Sequence, residues 1–146
     1  MANVRKSAVA LSFLTVLILL LCIYPIFAEA IHGDRNNNGI QDLTAYFNAD
    51  FLSRIELDRD EDGKSDAWFY FLASAKEWDT RADYDEDHDG RVDEVHFIKN
   101  DEPIKTFLDE DYDGFLDMEI SYQEGVPGVS KRLSTPVDPA SIQVNF

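Results

Sequence analysis

"DEDHDGRVDEVHFI", Asp85 to Ile98, joins two kinds of sequence. Its first nine residues carry five carboxylates with glycine in sixth place. The last five mix β-branched and aromatic side chains in the manner of a strand. A polar turn leading straight into a strand predicts a hairpin. The nine-residue pattern recurs as "DRNNNGIQD" (Asp34 to Asp42), "DRDEDGKSD" (Asp58 to Asp66) and "DEDYDGFLD" (Asp109 to Asp117). All four copies fit D-x-[DN]-x-[DN]-G-x-x-D, with starts 24, 27 and 24 residues apart. Recurrence at a near-constant period marks a repeated supersecondary unit.

What surrounds the loops sets the fold class. After the ninth-position aspartates come "LTAYF", "AWFYFLA", "EVHFI" and "MEISY"; before the later loops come "FLSRIEL", "KEWDTRADY" and "PIKTFL". In "MEISY", Met118, Ile120 and Tyr122 alternate with Glu119 and Ser121. Trp68, Tyr70 and Leu72 oppose Phe69 and Phe71, which predicts a strand covered on both faces. Turn signals stand at Asn48–Asp50, Ser74–Ala75, Lys99–Pro103 and Gln123–Gly128. The prediction is an all-β, antiparallel meander of about eight short strands, with the acidic loops between alternate strands. A propeller needs about four or more four-stranded blades, beyond a chain of 146 residues.

The spacing within each loop suits a hard cation. Ca²⁺ takes six to eight oxygens at about 2.3–2.6 Å, and alternate Asp or Asn at positions 1, 3 and 5 can turn oxygens toward one centre. Glycine at position 6 permits the sharp turn, and position 7 contributes its backbone carbonyl, leaving its side chain free to vary. The expected ligands are Asp34, Asn36, Asn38 and Asp42; Asp58, Asp60, Asp62 and Asp66; Asp85, Asp87, Asp89 and Asp93; and Asp109, Asp111, Asp113 and Asp117. Ile40, Lys64, Arg91 and Phe115 would add their carbonyls, while Glu86 and His88 are expected to point outward as bystanders. The first loop has two carboxylates fewer than the others and is expected to be the weakest. A lone run of this kind is often only a polar turn, but four copies keeping Gly and the closing Asp favour up to four Ca²⁺ ions. Mg²⁺, which demands octahedral geometry and keeps its water, suits such a loop poorly.

The loop starts resemble those of EF-hands and dockerins, yet the bidentate Glu of an EF-hand at position 12 is replaced here by Ala45, Phe69, His96 and Ile120. Closure at position 9 ahead of a strand is more similar to the calcium loops of integrin-type β-hairpins and thrombospondin type 3 repeats. That resemblance covers the loops alone and implies a secreted calcium-binding repeat protein. Without the bidentate Glu, affinities on the order of 10⁻⁴ to 10⁻³ M are expected.

Composition narrows the partners. The formal charge of −16 argues against nucleic acid and against an anionic membrane surface. Residues 1–30 read as an export signal, with Arg5 and Lys6, an apolar run from Ala8 to Ala28, and a small-residue cleavage site ending at Ala30. The run is also long enough to remain as a membrane anchor, the alternative to a secreted, periplasmic or extracellular product. A lipid on Cys22 is disfavoured, since Leu21 stands where a small residue is needed. Cleavage would remove Cys22 and bring the net charge to −17, leaving a domain over residues 31–133 and a Pro-containing tail over 134–146 without a disulfide. Metal would then be its staple.

No nucleophile, base and orienter stand together in the sequence, so a non-enzymatic role is expected. Trp68, Phe69, Tyr70, Phe71 and Trp78 read as core. An exposed aromatic patch would instead indicate a calcium-dependent adhesion or recognition module for a protein or glycan.

Overall fold

The computed structural model describes residues 29–72 and 77–142. The apolar segment 8–28, Cys22, the turn at Ser74–Ala75 and most of the terminal "SIQVNF" lie outside them. Nine strands form one antiparallel sheet in sequence order. They are β1 (Glu29–Gly33), β2 (Leu43–Asn48), β3 (Phe51–Leu57), β4 (Ala67–Phe71), β5 (Thr80–Tyr84), β6 (Glu94–Lys99), β7 (Glu102–Leu108), β8 (Leu116–Gln123) and β9 (Val126–Val137). The predicted meander is therefore present, with one strand beyond the expected eight. Among the described residues no helix is long and apolar enough to cross a membrane.

The differences lie at strand ends. β9 is a 12-residue edge strand running through Ser134 to Val137, past the expected start of the tail. A cut after Ala30 would fall inside β1. Of the expected strand 76–84, β5 takes Thr80 to Tyr84, and just before it the Asp79 carboxylate accepts from the Asn100 N–H at 2.9 Å. Trp78, left outside the strand, packs edge-on to Phe97 with ring centroids 5.1 Å apart.

At the opposite end of the sheet from the acidic loops, β6–β7 and β8–β9 are joined by tight hairpins. Asn100 and Asp101 at φ 51° and 64°, and Glu124 and Gly125 at 51° and 72°, have the paired positive φ of type I′ turns, whose twist matches that of the flanking strands. The loops consequently share the other end, one per two strands.

Cross-strand register separates two faces. Ile55, Phe69, Ala82, His96, Thr106 and Ile120 line one; Glu56, Trp68, Asp83, Val95, Phe107 and Glu119 line the other. The apolar core sits around Val95, Phe97 and Leu116, with Trp78, Ile104, Phe107, Val137 and Ile142 against it. After β9 the chain folds back: Asp138 caps a 3₁₀ turn at Pro139–Ser141. Arg81 then donates to the carbonyls of Pro139 and Ile142 while pairing with Asp83 at 2.6 Å.

Candidate metal centres

The four loops repeat one backbone conformation. Position 4 has positive φ in each, at Asn37 (58°), Glu61 (64°), His88 (61°) and Tyr112 (59°), and the glycine at position 6 lies between 91° and 95°. Side chains hold this shape from within. The position 1 carboxylate accepts from the glycine N–H at 2.7, 2.8, 2.8 and 2.6 Å in loops one to four. Position 5 accepts from the N–H of position 7, at 2.8, 2.8, 2.9 and 3.0 Å. Position 9 accepts from the N–H of position 2, at 2.8, 2.9, 2.7 and 3.1 Å. Asp and Asn recur at these offsets because each must cap a neighbouring N–H. The position 7 side chains Ile40, Lys64, Arg91 and Phe115 are exposed, as their variability suggests.

Burial divides the carboxylates. Asp42, Asp66, Asp93 and Asp117 at position 9 are 2–6% exposed, and Asp58, Asp85 and Asp109 at position 1 are buried beside them. Positions 3 and 5 face solvent in all four loops. Carboxylate oxygens converge to within 4.8 Å of one another in three of the loops: Asp58, Asp60 and Asp62; Asp85, Asp87 and Asp93; Asp109, Asp111 and Asp113. Asp66 instead groups with Asp60 and with His88 of the next loop. Asp89 and Asp117 stand outside these groups, and the first loop, with Asn36 and Asn38 among its four expected ligands, has too few carboxylates to form one of its own.

Several charges feel this crowding. Burial first, then the Asp87 and Asp85 carboxylates, push Asp93 above the usual carboxylate range against the N–H groups of Glu86 and Asp87. Asp111 is raised by desolvation and by Asp113, Asp117 and Asp109. Asp42 moves the other way, lowered chiefly by the Arg35 N–H and also by its guanidinium.

Sequence reasoning missed the groups that tie one loop to the next. Arg35 Nε donates to Asp42 at 2.9 Å and its Nη2 reaches the Asp58 carbonyl at 3.5 Å. Arg59 repeats this one loop on, with Asp66 at 2.5 Å and the Asp85 carbonyl at 2.9 Å, and also holds Glu86 at 2.9 Å. In the fourth loop Arg132 of β9 takes that place, between Asp117 and Glu110. Glu61 accepts from Asn36 at 2.7 Å and from Asn38 at 2.8 Å. Glu86 and His88 are therefore not bystanders: besides the Arg59–Glu86 pair, His88 Nδ1 lies 3.4 Å from Asp60 and 3.6 Å from Asp66. The signal was visible as Arg, Arg, Glu, Glu at position 2, but its meaning depends on which loops are neighbours. Main-chain bonds complete the row, each later loop donating its position 1 N–H to the preceding loop's position 9 carbonyl at 3.0, 2.9 and 2.8 Å.

His96 belongs to a separate network. Its Nε2 meets Glu94 at 2.8 Å, and Thr106 Oγ1 meets its Nδ1 at 2.9 Å. An acid, an imidazole and a hydroxyl are thus connected in series. The hydroxyl is buried, with Thr106 only 1% exposed, and it points to Tyr122 at 3.2 Å rather than to solvent. This is how a sheet face satisfies an interior hydroxyl.

Compared with family models, with curated proteins and with solved structures, the chain matches none.

Proposed function

We propose that this is a secreted, non-enzymatic calcium-binding β-repeat protein in which Ca²⁺ is a structural cofactor. The observation that carries the reading is the balance of what is buried. Among the described residues five hydrophobic side chains besides Pro139 are buried, Ala67, Ala82, Val95, Phe97 and Leu116, against eight aspartates. Seven of those aspartates occupy positions 1 and 9 of the loops, the exception being Asp83. Carboxylates are almost never fully buried unless paired or bound to metal, because desolvating an ion is expensive. Arginines meet Asp42, Asp66 and Asp117. For the carboxylates of Asp58, Asp85, Asp93 and Asp109 the hydrogen-bond donors among the described residues are main-chain N–H groups. A cation with oxygen preference is the missing complement, and the alternating Asp spacing selects Ca²⁺. In a chain cut after Ala30, four ions would bring the net charge from −17 to about −9, relieving the repulsion that opposes compaction.

A recognition role for the aromatic surface has less support. Trp78 is committed to the core beside Phe97, and Trp68 is half-buried in mid-sheet. The test is thermal unfolding by circular dichroism on protein stripped with EGTA, then titrated with Ca²⁺ to millimolar levels. At ten times its dissociation constant each ion adds about 1.4 kcal/mol, so several together should raise the midpoint by many degrees. Coincident melting curves with and without calcium would sink the proposal.

A further inference from the structure

The four loops share a backbone but differ in where their negative charge goes. In the first, second and fourth, the position 9 carboxylate is held by a guanidinium: Arg35 on Asp42, Arg59 on Asp66 and Arg132 on Asp117. The third loop has Glu86 at position 2, and among the described residues no guanidinium meets the Asp93 carboxylate. Its Oδ2 accepts the N–H groups of Glu86 at 2.7 Å and Asp87 at 3.2 Å.

Position 1 differs in the same loop. Elsewhere the N–H of position 5 reaches Oδ1 of position 1, at 3.2 Å on Asp34, 3.2 Å on Asp58 and 3.3 Å on Asp109. In the first two loops that N–H is shared with the position 3 side chain, Asn36 at 3.0 Å and Asp60 at 3.1 Å; in the third loop the Asp89 N–H goes to position 3 alone, Asp87 at 3.0 Å. Asp85, 3% exposed, has its Oδ2 on the Gly90 N–H, and its Oδ1 is buried without a partner, alone in this among the described residues. Asp85 and Asp93 both belong to this loop's group of converging oxygens, whereas in the second and fourth loops the intraloop group uses positions 1, 3 and 5.

We propose that the loop Asp85–Asp93 is the principal cation site and fills first, with Arg35, Arg59 and Arg132 acting as built-in counter-cations that weaken the other three. This rests on the calcium reading above. An unpartnered buried carboxylate oxygen is an unmet demand that a divalent ion satisfies, and the site loses little when the ion arrives because nothing must be displaced. In the other loops a cation must compete with a guanidinium for the position 9 oxygens and approach a like charge. Arg59 and Arg91 do touch the third loop, but at the Glu86 carboxylate, the Asp85 main-chain carbonyl and, at 3.7 Å, the exposed Asp89 carboxylate, not at the clustered Asp85, Asp87 and Asp93 side chains. The first loop, poorest in carboxylates, is thus one of three weak loops, and the ranking follows the arginines as well as the acid count.

The test uses the full chain, stripped with EGTA and titrated with CaCl₂ alone, observed by ¹H–¹⁵N NMR. The amides of Gly39, Gly63, Gly90 and Gly114 are local reporters, each donating to the position 1 carboxylate of its own loop. Gly90 should respond with a midpoint about tenfold or more below the other three. Asp93→Asn should raise the Gly90 midpoint to theirs without moving them. Arg132→Gln, at an exposed side chain, should lower the Gly114 midpoint by about tenfold, a gain that misfolding cannot mimic. Four glycines moving together in the parent chain would overturn the inference and leave the calcium reading intact, as would an unchanged Gly114 midpoint in Arg132→Gln. No movement of any glycine at about 10 mM Ca²⁺, well above the weakest extracellular sites, would overturn both.

Discussion

At position 6 the loops need a backbone conformation that a side chain resists. Gly63 at φ 91° has open space where a methyl would go, so in Gly63→Ala the cost is conformational alone, about 1–2 kcal/mol. Gly114→Ala should cost somewhat more, since its methyl would lie 2.9 Å from Arg91 Cδ and dislodge the bond from Arg91 to the Asp113 carbonyl. Gly33 in β1 is the control: it has no positive φ and its methyl would meet Leu43 at an ordinary 3.5 Å, so Gly33→Ala should be near neutral. Urea denaturation in saturating calcium orders the three variants. Position 4 carries the same strain in a form open to repair. Tyr112, 52% exposed at φ 59°, gains little from its ring there, and Tyr112→Asn should stabilise by about 0.5–1 kcal/mol because Asn tolerates the left-handed region. A melting temperature at or below that of the parent would contradict the strain argument.

Among the elements, the strands were the legible part. Period-2 alternation and β-branched or aromatic runs located β2, β3, β6 and β7 to within a residue or so at each end, because those signals are local. The loop positions were legible for the same reason: Asp, Gly and Asp at fixed offsets fix hydrogen bonds within nine residues. What stayed hidden depends on neighbours in space. Nothing around Arg81 in the sequence signals that it is buried, paired with Asp83, and bonded to the carbonyls of a segment about sixty residues on. Burial, partly offset by Arg81, raises the Asp83 pKa, so the ionised pair is held against its desolvation. Removing one partner should then be worse than replacing both. Asp83→Ala is expected to cost about 3 kcal/mol or more by stranding a buried guanidinium, while the Arg81→Met/Asp83→Leu double variant should cost clearly less. A double-mutant cycle by denaturant unfolding measures this, and simple additivity would show that the pair is not coupled.

Over the whole molecule the loops form one acidic row, about 9–10 Å apart if the strands keep their usual spacing of about 4.8 Å. Its response to pH should therefore depend on calcium. Without metal, Asp83, Asp93 and Asp111 have pKa values above the ordinary 3.8, so the folded chain holds protons more tightly than the unfolded one. Their contribution to stability is largest at low pH and falls as pH rises from 3.8 through the raised values. Asp42, lowered by Arg35, and Glu94, lowered by its bond to His96, act oppositely: what they contribute is present above their ordinary pKa and lost as pH falls through the lowered value. As pH falls from neutrality the raised group therefore takes up protons before those two do, and part of the net charge of −16 is relieved while Asp42 and Glu94 still contribute. The EGTA-treated protein should consequently melt higher near pH 5 than at pH 7.5, and added salt at neutral pH should recover part of the difference by screening. Calcium requires deprotonated ligands, so it should reverse the order, giving the higher melting temperature at pH 7.5 and an increment over EGTA that shrinks steadily toward pH 4. Scanning calorimetry across this range, with and without metal, decides the matter. A calcium increment independent of pH would mean that the ion is not held by these carboxylates.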